Sequence, residues 1–181
     1  MLFILVACIN ILHSQTSDYY YTESKLILTS EDKQGKSFNA NSESAYMILN
    51  LTNGDFTLKS DLSNLKTGNA ELDSILKAQG QQLLNFKGNI NENIFRFNQQ
   101  INDENNYNME GVLTLGNGNA LNCIAQYDPL NFSEKSDVKK YRMDFKLVLD
   151  VSKITILGLS NKINNQVIFE IISGQLNTTT Q

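Results

Sequence analysis

The sequence has very few of the side chains on which most enzymes rely. Among its 181 residues there is one histidine, His13, there are two cysteines, Cys8 and Cys123, and there is no tryptophan. A Ser/His or Cys/His relay needs a histidine placed beside the nucleophile, and a zinc site needs several His or Cys ligands. We therefore expect no enzyme activity, no catalytic residues, no metal site and no cofactor.

The acidic residues do not supply an alternative chemistry. Glu71 and Asp73 are two apart in a predicted helix, so their side chains point to different faces, and acids in a first helical turn interact favourably with the helix dipole. The acidic pairs at 31–32 and 103–104 lack the regularly spaced oxygen ligands of a calcium loop. These carboxylates are best interpreted as structural or solvated groups.

Basic residues are also too few to indicate a nucleic-acid partner. The chain carries 15 Lys and Arg against 19 Asp and Glu, a net charge of -4, whereas phosphate binding needs a concentrated basic face. The length and the 41 % hydrophobic content suit one globular domain with its own core. The single proline, Pro129, suits a chain of central strands, and we expect it in a loop within residues 127–137.

The N-terminus predicts export. An apolar run over residues 1–12 is too short to span about 30 Å of bilayer, and the polar sequence HSQTSD follows it. This is the profile of a secretory signal peptide, so we expect residues 1–14 to be removed after Ser14 and residues 15–181 to form a periplasmic or secreted domain. Two alternatives stay open: residues 5–8 (LVAC) form a lipobox in which Cys8 is acylated, or the run is a buried strand.

Cleavage after Ser14 leaves Cys123 as the one cysteine, which excludes an intramolecular disulfide. Cys123 alternates with Leu121, Ala125 and Tyr127 on one face of a predicted strand. This pattern favours a buried structural thiol over a reactive one.

Alternation of apolar and polar residues predicts strands along most of the chain. In residues 141–151 (YRMDFKLVLDV) the odd positions are apolar and the even ones are mostly charged, which predicts one dry and one wet face. Weaker alternation covers residues 46–51, 56–62, 84–90, 94–98, 107–115, 121–127 and 167–172. The pairs Asn53-Gly54 and Asn117-Gly118 predict two-residue type I′ hairpin turns.

One short helix is predicted from Ala70 to Ala78. Leu72, Ile75 and Leu76 form its apolar stripe, Asn69 or Thr67 can accept the free N–H groups at its start, and Gly80 follows its end. About eight strands and one helix predict a single all-β domain, an antiparallel barrel closed so that no strand edge is exposed. A transmembrane barrel, the less favoured alternative, turns its apolar face outward.

The inward strand faces hold the candidate site. A barrel of about eight strands either fills its interior with side chains or holds one small ligand, and both alternatives stay open. Phenylalanine and methionine on the inner face suit a chain-like apolar ligand. The interior candidates are Phe86, Phe95, Phe97, Leu113, Leu115, Met143, Phe145, Leu147 and Phe169.

The order of several short segments resembles the YceI-like family of extracytoplasmic, lipocalin-like barrels. An aromatic first strand (residues 18–28) precedes a TGN segment (Thr67, Gly68, Asn69) that is followed by Asp73 and Leu76. A Phe-x-Gly strand (Phe86, Gly88), a Tyr-x-x-x-Gly-x-Leu-Thr strand (Tyr107, Gly111, Leu113, Thr114) and an aliphatic strand pair (145–151 and 166–172) complete the order. Residues 77–85 (KAQGQQLLN) replace the family's Phe-Phe-Asp…Tyr-Pro stretch, and Leu72 replaces a common arginine.

The resemblance implies a lipocalin-like barrel that binds a long apolar lipid of polyisoprenoid type, as a carrier or sequestering protein without catalysis. It implies no stable membrane span and no nucleic-acid partner, and it leaves the oligomeric state unknown. The alternative is a structural or interaction barrel whose interior is filled by side chains and holds no ligand.

Overall fold

A computed structural model describes the backbone of residues 19–50, 53–90, 107–116, 118, 120–133, 140–150 and 161–178. Phe95 and Phe97, the strand predicted over 94–98 and the N-terminal segment with Cys8, His13 and Ser14 lie outside these residues. Over the described ranges, the chain forms eight strands, one 3₁₀ turn and one α-helix. The strands are β1 (Tyr19–Asp32), β2 (Ser37–Asn50), β3 (Asp55–Asp61), β4 (Leu83–Asn89), β5 (Tyr107–Leu115), β6 (Leu121–Ser133), β7 (Lys140–Asp150) and β8 (Ile163–Thr178).

The eight strands close into an antiparallel barrel in chain order. Each strand pairs with the next, and β8 pairs back onto β1 through contacts such as Leu28 with Phe169. Closure satisfies the ladder hydrogen bonds that an open edge would leave free. The predicted all-β barrel of about eight strands with one short helix is confirmed.

Alternation on β7 sets the inner and outer faces as predicted. Met143, Phe145, Leu147 and Leu149 are buried. On the outer face Lys146 forms an ion pair with Glu170 of β8 at 3.1 Å. The apolar face therefore points into the barrel, and the polar face points outward.

Two glycines face each other where β4 pairs with β5, and both are required by close packing. Gly88 lies opposite Gly111. A Cβ at Gly111 would come within 2.6 Å of the Phe86 ring and 2.5 Å of the Lys87 carbonyl oxygen, and one at Gly88 would come within 2.7 Å of Met109. The glycines of the Phe-x-Gly and Tyr-x-x-x-Gly segments therefore make room for inward side chains on the neighbouring strand.

Residues 62–82 cover one end of the barrel, and we call this segment the cap. It contains the 3₁₀ turn Leu62–Asn64 and helix α1 (Ala70–Ala78), whose bounds match the prediction. Leu62, Leu65 and Leu76 are buried in the barrel's core. An ion pair of 2.7 Å between Glu71 and Lys162, just before β8, joins the cap to another strand that begins at the same end.

Polar side chains fix the start of the helix. The Asn69 side chain accepts hydrogen bonds from the N–H groups of Glu71 (2.9 Å) and Leu72 (3.3 Å), which confirms Asn69 as the N-cap. Asp73 accepts from the Thr67 N–H at 2.7 Å and from the Thr67 hydroxyl at 2.6 Å. Asp73 thus holds the TGN segment against the helix in addition to interacting with the helix dipole.

The two predicted hairpins exist, but their strand registers differ from the prediction. A two-residue turn at Asn53-Gly54 would place residue 51 opposite Phe56, whereas Leu49 lies there. A two-residue turn at Asn117-Gly118 would place residue 114 opposite Leu121, whereas Leu113 lies there. The two-residue type I′ turns at these pairs were therefore wrong predictions.

The prediction that Pro129 lies in a loop was also wrong. Pro129 lies within β6, opposite Met143 of β7. The described pairing of β6 with its other neighbour, β5, ends at the Tyr107–Tyr127 pair. Among the described residues, none pairs with Pro129 on the β5 side, and a strand tolerates proline where no ladder hydrogen bond is needed.

Candidate ligand-binding interior

Most of the predicted interior residues are buried inside the barrel. Phe86, Leu113, Met143, Phe145, Leu147 and Phe169 each have an exposed fraction of 3 % or less. Leu115 is only partly buried, because it is the last residue of β5 and packs at the margin of the core. Residues that line a cavity and residues of a packed core are both buried. Burial therefore does not test contact with a ligand, and that contact stays a prediction.

Three phenylalanines form a cluster in the middle of the barrel. The Phe56 and Phe145 rings stack with centroids 5.5 Å apart, and Phe86 lies 5.4 Å from Phe145 and 6.2 Å from Phe56. Phe56 is on β3 and Phe145 is on β7, four strands away in a ring of eight. Their contact therefore crosses the barrel, and we call these three residues the phenylalanine cluster.

Phe56 is a member of this cluster that was missing from the sequence-based candidates. Its strand was predicted, and Phe56 shares the buried face of that strand with Leu58 and Ser60. Alternation alone could have placed it on the inner face. Its contact with Phe145 depends on how the barrel closes, which a single sequence does not show.

The end of the barrel opposite the cap is lined by aromatic and methionine side chains. We call it the far end; β5 begins there at Tyr107, which lies opposite Tyr127 of β6. The two tyrosine rings stack with centroids 5.6 Å apart. Met109 is buried on β5, and Met143 is buried on β7, the neighbour of β6. Methionine and aromatic side chains adapt well to an irregular apolar ligand.

Among the described residues, few polar groups face the interior, and two of them lack a partner. The Ser30 hydroxyl donates to the Gln166 carbonyl at 2.9 Å, and the Ser42 hydroxyl contacts that of Ser44 at 2.9 Å. The Ser60 hydroxyl and the Tyr127 hydroxyl are buried with no hydrogen-bond partner in the described chain. Asn85 also has an unpartnered oxygen, but it alternates with the inward residues of β4 and lies on the other face.

The interior carries no charge in the part of the chain with described side chains. Its buried polar residues there are Ser30, Ser42 and Ser60, and no Lys, Arg, Asp, Glu or His is buried. Burial raises the pKa of the Tyr127 phenol, and the neighbouring Tyr107 raises it further. Tyr127 therefore keeps its proton at neutral pH and can donate a hydrogen bond.

Cys123, predicted to be a buried structural thiol, is half-buried at the margin of the core. It lies opposite Gly111, which offers no side chain to cover it. Burial raises the pKa of the Cys123 thiol, against a smaller lowering by a backbone hydrogen bond to Leu113. The thiol is thus protonated at neutral pH, which is typical of an unreactive cysteine.

Two of the open grooves that the described residues form lie outside the barrel. One, of about 1030 Å³, runs beside the cap and is lined by both lysines and acids, among them Lys25, Glu43 and Asp73. The other, of about 470 Å³, lies along β5 and β6. Neither is lined by any of the predicted interior residues. The described residues contain no group of three His, Cys, Asp or Glu placed to hold a metal ion.

Comparison with known proteins supports the fold. No protein-family model matches the sequence, and no curated protein matches it. Among solved structures, the chain is similar to a polyisoprenoid binding domain from Saccharophagus degradans that is implicated in plant cell wall breakdown. The TM-score is 0.58, with 90 % of this chain and 98 % of that chain covered, and the sequence identity is 13 %.

At this identity the likeness concerns the fold alone. The resemblance to YceI-like proteins is therefore confirmed as a distant similarity of fold. In the part of the chain that the structure describes, no helix is long and apolar enough to span a membrane.

Proposed function

We propose that this protein is an exported lipid-binding protein that holds a long apolar ligand, of polyisoprenoid type, inside its barrel. It acts as a carrier or sequestering protein and catalyses no reaction. The observation that carries the proposal is the uncharged, apolar inner face that strands around the whole barrel contribute. The shared fold with a polyisoprenoid binding domain gives independent support.

Ligand binding must compete with the phenylalanine cluster, which occupies the middle of the barrel. Separating one aromatic pair costs about 0.5–1.5 kcal/mol beyond lost burial, and the cluster has three such contacts. Burying a chain contributes roughly 0.8 kcal/mol per methylene. About two to six buried methylenes therefore offset the three ring contacts alone, and a longer chain must also offset the burial that the rings lose and the ordering of the ligand.

The test is extraction of the protein purified from its native host, followed by mass spectrometry of the organic phase. We expect a long-chain apolar lipid in stoichiometric amount, or uptake of an added isoprenoid by the delipidated protein. Absence of both would contradict the proposal. The intact mass of the same preparation tests export, since cleavage after Ser14 yields a chain that starts at Gln15 and acylation yields one that starts at Cys8.

The second candidate function is a structural or interaction barrel that holds no ligand. The contact of Phe56 with Phe145 across the barrel favours it, because the rings fill the middle of the interior in this conformation. The two candidates differ in uptake: a barrel filled permanently by side chains excludes isoprenoids of every length.

A further inference from the structure

The Tyr127 hydroxyl is a buried polar group with no hydrogen-bond partner among the described residues. Tyr127 has an exposed fraction of 2 %, and no described residue hydrogen-bonds to its hydroxyl. A buried, unpartnered hydroxyl costs about 1–3 kcal/mol of stability. Phenylalanine would occupy the same space without this cost, so the Tyr127 hydroxyl is a candidate contact for a bound ligand.

The hydroxyl belongs to a residue between the phenylalanine cluster and the start of β5. Tyr127 is opposite Phe145 of the cluster and opposite Tyr107, the first residue of β5. The cap closes its end of the barrel with three buried leucines. A ligand that extends from the cap through the cluster therefore comes beside Tyr127, and a chain of matching length places its terminal group there.

The surroundings also determine which ligand atoms this hydroxyl can bind. The phenol is protonated at neutral pH, since burial raises the Tyr127 pKa, so it donates to an oxygen acceptor. A phosphate or carboxylate would need a cation to offset its desolvation. Among the residues with described side chains, the interior contains no buried Lys, Arg or His to supply one.

We infer that the Tyr127 hydroxyl anchors the ligand by donating a hydrogen bond to an uncharged oxygen at one end of its apolar chain. Alcohols, ketones, ethers and amides fit this requirement, and phosphates and carboxylates do not. The inference rests on the proposed lipid-binding function and narrows the class of lipid.

The test compares three probes that share one C15 isoprenoid chain: the hydrocarbon, the alcohol and the monophosphate. Their affinities are measured by displacement of an apolar fluorophore from the delipidated full mature chain. Tyr127→Phe keeps the ring and removes the hydroxyl. Ser60→Ala is the matched control, because it removes the other unpartnered buried hydroxyl, four residues from Phe56 toward the cap.

We expect Tyr127→Phe to weaken binding of the alcohol about tenfold and to leave binding of the hydrocarbon unchanged. Ser60→Ala is expected to change neither affinity, and the monophosphate is expected to bind the unmodified protein at least about tenfold more weakly than the alcohol. Without ligand, Tyr127→Phe is expected to unfold at the same or a higher urea concentration.

Several results would overturn the anchor while leaving the lipid-binding function intact. In the first, the unmodified protein binds the hydrocarbon, and Tyr127→Phe leaves the alcohol affinity unchanged. In the second, Ser60→Ala loses alcohol affinity instead. In the third, the unmodified protein binds the monophosphate more tightly than the alcohol. A lower unfolding midpoint for ligand-free Tyr127→Phe would also overturn it, because the hydroxyl would then have a partner within the protein. Failure of every probe to bind the unmodified barrel would count against the lipid-binding function itself.

Discussion

The two ends of the barrel use their polar side chains differently. In the cap, Asn69 and Asp73 satisfy N–H groups at the start of helix α1, and Asp61 accepts hydrogen bonds from Ser63 and Gln82. At the far end, the Tyr127 hydroxyl is shielded from water but has no partner among the described residues. The phenylalanine cluster lies between these two regions.

If the proposed ligand binds inside the barrel, this difference assigns stability to one end and ligand selectivity to the other. Satisfied hydrogen bonds around buried leucines stabilise a fixed structure, so the cap is the closed end. An unsatisfied donor among tyrosine and methionine side chains lowers stability, and binding sites often carry such a cost. We therefore expect mutations in the cap to change mainly unfolding, and mutations at the far end to change mainly ligand selectivity.

The largest expected effect comes from Leu76→Ala in the cap. Leu76 is fully buried, and removing a buried leucine side chain costs about 2–5 kcal/mol of unfolding free energy. Urea denaturation of the purified domain measures the loss. Lys77→Ala, at an exposed position of the same helix, is the control and is expected to change stability by less than about 0.5 kcal/mol. Equal stability of Leu76→Ala and the unmodified protein would show that the cap does not close the core.

A smaller loss of unfolding free energy is expected from Gly111→Ala, which tests the close packing between β4 and β5. The added methyl group would meet the Phe86 ring and the Lys87 carbonyl oxygen, and overpacking of this kind costs about 1–3 kcal/mol. Because Phe86 belongs to the phenylalanine cluster, a shift of its ring would rearrange the cluster, and isoprenoid affinity is expected to fall as well. A loss of stability with fully retained isoprenoid affinity would show that the phenylalanine cluster is not part of the binding site.

Asp73→Ala is expected to cost about 1.5–2 kcal/mol, because two hydrogen bonds from Thr67 to a carboxylate are lost. Glu71→Ala removes another acid of the first helical turn together with its exposed ion pair to Lys162, so its effect is an upper limit for the effect of the helix dipole. We expect a smaller loss of stability for Glu71→Ala than for Asp73→Ala in urea denaturation. Equal losses in the two variants would contradict a separate contribution of the hydrogen bonds from Thr67.

The smallest expected effect is a pH dependence that arises from Asp61. Burial raises the pKa of this carboxyl, but hydrogen bonds from Ser63 and Gln82 outweigh burial and place it below the ordinary 3.8. A depressed folded pKa contributes stability that is complete above 3.8 and is lost as the pH falls through the lower folded value. Asp61→Asn should therefore be less stable than the unmodified protein by at most about 1 kcal/mol at neutral pH.

The stability difference caused by Asp61→Asn should shrink on acidification below the ordinary pKa. Urea midpoints of both proteins at about pH 7 and about pH 2.5 measure this change. A difference that stays constant, or that grows on acidification, would contradict the assignment.

Local patterns predicted the elements that local physics determines. Alternation in residues 141–151 predicted the inner face of β7, and the leucine stripe with Asn69 predicted the helix and its N-cap. The same patterns missed contacts set by closure: Phe56 meets Phe145 only because β3 and β7 face each other. The bond of Asp73 to Thr67 joins residues six apart across a turn, which no helical spacing rule predicts.

The sequence also did not predict the geometry of the turns or the position of Pro129. The Asn-Gly pairs marked the hairpins but not the length of their turns, since pairing depends on both strands. Proline chemistry favours a loop for Pro129, yet a strand position beyond the end of one neighbour's pairing accommodates it. For Phe95 and Phe97, which lie outside the described residues, the predicted interior position stays a prediction.

The most direct test of ligand binding inside the barrel uses the absence of tryptophan from the sequence. Phe145→Trp places one fluorophore within the phenylalanine cluster, and Val148→Trp places one on the outer face of the same strand, where Val148 is 42 % exposed. An isoprenoid that carries a bromine quencher is then added to each variant. We predict saturable quenching of tryptophan fluorescence in the Phe145→Trp variant with little effect in the Val148→Trp variant. Equal quenching of both variants, or quenching of neither, would contradict a ligand held inside the barrel.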